Sequence, residues 1–191
     1  MLSRFTSAFL LLMPCVAVAN LAVVLDAPTQ IRLRIGATGA TITTASVTVA
    51  GGNVGSGAVQ LTTAAAAART GSSCATANFV FFNAEARATL PSARTATLTA
   101  NSTSGLNCTT AATCGTDNIP FTQIGWINTP PVAYNPATIP SGTFSGAGAQ
   151  SIISFLSSNQ SQDCLRFHYL NTNIVRQGNY AGNVTFTLTM P

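Results

Sequence analysis

Apolar and polar residues alternate singly along much of this chain, and the alternating runs are short and separated by Gly, Pro, Asn and Ser. A period of two is the mark of a strand with one dry and one wet face. In residues 29–35, Ile31, Leu33 and Ile35 share one face, while Gln30, Arg32 and Arg34 share the other. This predicts a half-buried strand whose arginines form a solvated face. Residues 41–49 are rich in Thr, Ile and Val and end at Gly51-Gly52, and residues 77–84 and 94–100 give two further strands separated by Pro91. Residues 118–128 change parity, with Ile119 and Phe121 on one side and Ile124 and Trp126 on the other, which predicts a bulge or bend near Thr122. In residues 164–170, Leu165, Phe167 and Tyr169 oppose Arg166 and His168. At the end, Val184, Phe186, Leu188 and Met190 alternate with Thr185, Thr187 and Thr189, which predicts a terminal strand that is itself a sheet member and lets the chain stop at Pro191.

Two segments are less regular. The alanine-rich residues 62–70 are too short for a stable helix and are assigned to a loop or a single helical turn. Residues 150–158 fit a helix face through Ile152, Phe155 and Leu156, but their length and turn-rich flanks favour a strand. Residues 129–149 form the longest connector, which reads either as a contact surface built on Tyr134, Phe144 and its prolines or as an extended segment along a sheet edge. No internal repeat of solenoid length is present. Many short strands, frequent turn residues and no long helix predict an all-β fold, an immunoglobulin-like antiparallel β-sandwich.

The first residues stand apart. One positive charge in residues 1–4, an apolar stretch over residues 5–13 and the small residues Ala17-Val18-Ala19 read as a secretory signal peptide over residues 1–19, cleaved before Asn20. The apolar run is broken by Pro14 and falls short of the roughly 20 residues that cross a bilayer, so no transmembrane segment is expected after cleavage. Residues 20–191 then form a single domain, placed in the periplasm, on the cell surface or outside the cell. Charged residues make up only 6% of the chain, so its wet surface must come mainly from Thr, Ser, Asn and Gln. All the basic residues are arginine, and without Arg4 the mature chain carries +3. No run of like charge occurs along the sequence, which gives no footprint for nucleic acid.

Four cysteines remain after cleavage: Cys74, Cys108, Cys114 and Cys164. An even number in an exported chain favours disulfides over metal. Cys108 and Cys114 enclose only "TTAAT" and suit a local staple, which leaves Cys74 to pair with Cys164 over a long loop. A zinc site finds no support, since His168 is the only histidine and no CxxC or HxH spacing occurs.

Catalysis is not indicated either. The acids are Asp26, Glu85, Asp117 and Asp163, and Asp163 and His168 lie five apart, which on a strand sends them to opposite faces. No nucleophile elbow, phosphate loop or dinucleotide fingerprint is found, so no catalytic residue, cofactor or metal is assigned. A second class of function is a carbohydrate-binding module using Trp126, Tyr134 and Tyr169, which requires these rings to be exposed as a platform.

The C-terminal stretch "QGNYAGNVTFTLTMP" resembles the closing segment of bacterial pilin-like domains, including spore coat protein U and the archaic chaperone–usher pilins. The likeness rests on Gly178, Tyr180, Gly182, Val184, Phe186 and Leu188 over about fifteen residues. In those families an incomplete sandwich is completed by the N-terminal extension of the next subunit, so fibres grow by β-strand addition. The resemblance implies a surface or fimbrial subunit that contacts other subunits, a periplasmic chaperone and an usher. It places those contacts at Tyr180, Val184, Phe186, Leu188 and Met190, with Leu21, Val23 and Leu25 as the donated strand. Residues 20–35 equally fit two ordinary strands of a self-complete sandwich.

Overall fold

A computed structural model describes residues 29–36, 45–53, 55, 57–63, 74, 78–88, 93–129 and 137–191. The predicted signal peptide, the donor positions Leu21, Val23 and Leu25, and Tyr134 lie outside these residues. No helix among the described residues is long and apolar enough to cross a membrane.

The fold is an all-β sandwich of antiparallel sheets. One layer has six strands. β1 (Thr29–Ile35) pairs with β5 (Val80–Ala88), β5 with β12 (Asn159–Tyr169), and β12 with β9 (Ile124–Asn128), while β10 (Gly142–Thr143) closes that side. β3 (Val59–Gln60) joins β12 where β5 has ended. Opposite lie a three-stranded sheet, β11 (Gln150–Leu156), β6 (Thr95–Asn101) and β14 (Thr185–Thr189), and a five-stranded one. The five strands run in the order β4 (Thr62–Thr63), β2 (Ala45–Val49), β13 (Gly178–Ala181), β7 (Leu106–Cys108) and β8 (Asn118–Ile119). Their inner faces share one apolar core, with Leu98, Val47, Ile124, Leu165, Tyr169 and Tyr180 almost wholly buried.

Periodicity translates directly into several of these strands. β1 occupies the predicted residues with the predicted faces, although its inward Ile31 remains 47% exposed because the strand lies at a sheet edge. The parity change near Thr122 is a turn of 3-10 helix, Phe121–Gln123, between β8 and β9. It rotates the chain so that both Phe121 and Ile124 point inward.

Other boundaries shift for identifiable reasons. β5 runs to Ala88 rather than stopping near residue 84, because Ala84 and Ala86 are core positions filled by small side chains. β12 begins at Asn159, five residues before the predicted start, because its core-facing positions there hold polar Ser161 and Asp163. The connector over residues 129–149 contains β10 and sends Ile139 and Phe144 into the core rather than onto its outer surface.

Both disulfides have the expected partners. Cys108–Cys114 spans the single helical turn Ala111–Cys114, and Cys74–Cys164 ties a segment distant in sequence to the middle of β12.

Candidate functional site

The terminal strand shows how the Gly-x-Tyr pattern works. A Cβ on Gly178 would collide with the Cys108–Cys114 bridge at Cys114 Sγ. Gly178 thus lets β13 lie against the disulfide turn. Tyr180, two residues on, is fully buried and its hydroxyl donates to the Arg176 carbonyl at 2.6 Å. Burial pushes its phenol pKa up, and the nearby Asp117 acts in the same direction. Arg176 is held by Asp117, which accepts from its backbone N–H at 3.0 Å and forms an ion pair with its guanidinium at 3.7 Å. Gly182 passes so close to the Gly105 carbonyl that no side chain fits between them. These contacts fix the corner from which the chain enters β14.

Beyond that corner an apolar groove of about 460 Å³ opens between the layers. One wall is the chain from Gly182 to Phe186, and the rest includes Ile35 at the end of β1, Val80 and Phe82 of β5, Leu106 and Phe144. Aromatic rings form its floor. Phe144 stacks on Phe167 at 6.1 Å and 9° between planes, and it also meets Trp126 at 4.9 Å and Phe121 at 5.7 Å. Phe186 bridges the layers, edge-on to Phe82 and 6.3 Å from Phe144. β14 pairs with β6 along one edge, and no described strand pairs with the other. β1 is likewise paired only with β5 among the described strands, and it approaches β14 across the opening.

The predicted contact residues divide into two groups. Val184 and Phe186 line the groove, Leu188 is in the core and Met190 packs against it half-buried. Tyr180 is buried away from any partner and serves to pin the corner. The residues proposed as a sugar platform are not at the surface where the structure describes them. Trp126 is buried with its indole N–H donating to the Pro140 carbonyl at 2.8 Å, and Tyr169 is buried with its hydroxyl donating to the Asn173 carbonyl at 2.7 Å. The sequence named Phe144 only as part of a surface on the connector and did not place it in a groove, because an isolated aromatic among Gly, Ser and Pro carries no periodic signal.

The ionisable groups show no catalytic constellation among the described residues, and no three His, Cys, Asp or Glu residues there gather as metal ligands. Asp163 and His168 do point to opposite faces of β12. Asp163 is fully buried between the layers, where it accepts from Asn128 Nδ2 at 2.6 Å, from the Ile139 N–H at 3.3 Å and from the Ser161 hydroxyl. Burial raises its pKa, and those three hydrogen bonds oppose the rise. Asn128 also donates to the Ile139 carbonyl at 2.7 Å, so the cluster stitches the long connector to β9 and β12. His168 is half-buried on the outer face, and its pKa is lowered by burial first and by the Arg166 charge second.

The chain matches no protein-family model, no curated protein and no solved structure.

Proposed function

We propose that this protein is an exported structural subunit of a bacterial surface, a pilin-like sandwich that assembles by β-strand addition. The observation that carries the reading is the aromatic-floored groove beside β14, whose edge away from β6 pairs with no described strand and so offers backbone N–H and C=O groups to an incoming one. An alternating segment could place every second side chain in the groove, and each fully buried aliphatic side chain contributes roughly 1.5–3 kcal/mol. The segment "NLAVVLD" has that pattern through Leu21, Val23 and Leu25, and it becomes the new N-terminus once residues 1–19 are removed. The buried positions of Trp126 and Tyr169 disfavour the carbohydrate platform as an alternative.

The test uses the mature chain, residues 20–191, examined by electron microscopy and size-exclusion chromatography. Fibres or ladders of oligomers are expected, and Val23→Asp should leave monomers that bind an added "NLAVVLDA" peptide. A mature chain that stays monomeric at high concentration with residues 20–27 protected from proteolysis would show that the segment completes its own sheet.

A further inference from the structure

The sequence shows no run of positive charge, but strand pairing assembles one. On the outer face of the six-stranded sheet, β1 and β5 are in register so that Gln30 lies beside Arg87, Arg32 beside Glu85, and Arg34 beside Asn83. The next strand adds Gln160 to the second row and Gln162 to the third. These side chains point away from the core, because the alternate positions Phe82, Ala84 and Ala86 belong to it. Arg32 and Arg87 are exposed and Arg34 is half-buried. Three guanidinium groups therefore surround a single carboxylate. Neighbouring strands lie about 4.8 Å apart and alternate residues about 6.7 Å apart along a strand. Arg32 therefore stands about 7 Å from Arg34 and about 8 Å from Arg87, each near one Debye length at physiological salt, and it links these two, which lie about 14 Å apart.

We propose that this corner of the sheet binds an anionic polysaccharide bearing carboxylate groups. A second copy of this chain cannot supply the complementary charge from its described acids: Asp163 is buried, Asp117 is held by Arg176, and Glu85 lies inside the patch itself. A partner of another kind, carrying its own anions, supplies what these described acids do not. Guanidinium groups grip carboxylates through paired hydrogen bonds. The exposed amides of Gln30 and Gln160 beside them suit sugar hydroxyls. Single-stranded nucleic acid would require exposed aromatic platforms. The described rings on this side are Phe81 of β5, which is buried, and Phe79, which is half-buried beneath Arg166, 5.6 Å from its guanidinium carbon. The proposal is independent of strand addition, since the patch lies on the outside of the sheet and the groove on the inside.

Binding of the mature protein to immobilised polygalacturonate is measured at low and high sodium chloride, with neutral dextran, duplex DNA and phosphatidylglycerol vesicles as comparisons. The expected result is salt-sensitive binding to polygalacturonate, weakened roughly tenfold or more by Arg32→Gln/Arg87→Gln. Arg176→Gln, an exposed change in the loop before β13, should weaken it less than about twofold. Circular dichroism and thermal melting establish that the variants fold. Equal losses in Arg32→Gln, Arg87→Gln and Arg176→Gln would reduce the effect to net charge and overturn the proposal. Preference for DNA or vesicles over the glycan would overturn it as well.

Discussion

Phe186 of β14 meets Phe82 of β5 edge-on across the sandwich, with ring centroids 5.0 Å apart and planes at 77°. The contact joins the last strand to the opposite layer. Phe186→Asp places a charge against that ring and should abolish secreted yield, whereas Thr187→Asp on the wet face should change stability by less than about 0.5 kcal/mol. Phe186→Ala should cost about 3 kcal/mol, the lower end for an aromatic truncation, because the ring is only half-buried. Urea unfolding and secreted yield measure both effects. Equal tolerance of the two aspartates would contradict the inward placement of Phe186.

Asp163 should give the protein a stability component that is greatest in acid. Burial raises its folded-state pKa above the ordinary 3.8, so between those two values the folded chain binds more protons than the unfolded chain. Stability from this group is therefore complete below 3.8 and is lost as pH rises through the folded pKa. Asp163→Asn removes the titration. Subtracting its urea-unfolding free energies from those of the native chain across this pH range should isolate a component that declines with rising pH. Asp163→Ala should additionally leave the Asn128 amide and the Ile139 N–H without their acceptor, at about 1–3 kcal/mol.

His168 should act with the opposite sign and weakly. Its folded pKa lies below 6.5, so the unfolded chain binds the extra proton, and stability is lost as pH falls from 6.5 towards the depressed value. The ring is only half-buried, so the effect should stay well under about 1 kcal/mol. His168→Gln should flatten it without altering assembly. An imidazole NMR titration with a midpoint at or above 6.5 would refute the sign.

The two disulfides should differ in worth. The loop-entropy relation assigns about 4–5 kcal/mol to Cys74–Cys164, with a separation of 90 residues, and about 2 kcal/mol to Cys108–Cys114, with a separation of 6. Paired serine replacements compared by thermal unfolding should show the first loss to be the larger. Non-reducing peptide mapping should recover these two linkages and no free thiol.

The strands that could be read from sequence are those whose burial repeats every second residue, as in β1 and in the Thr-rich end of β14. Where the core accepts a polar or small side chain, the code fails. Asp163 and Ser161 hide the first third of β12, and Ala84 with Ala86 hides the second half of β5. The groove was legible through Val184 and Phe186, because its other walls come from strands far apart in sequence. The arginine patch was invisible for the same reason, since Arg32 and Arg87 become neighbours only through the antiparallel register of β1 and β5.

The Cys74–Cys164 crosslink also sets how far the protein can stretch under load. It joins two points 90 residues apart and encloses the smaller Cys108–Cys114 loop, so pulling on the two ends can draw out only the chain outside it. At about 3.4 Å per residue, roughly 300 Å of contour length stays locked while the bridge is oxidised. In single-molecule force measurements, reduction should lengthen the unfolding step by about that amount. The oxidised chain thus lengthens far less before tension returns than a chain of its size would without the crosslink.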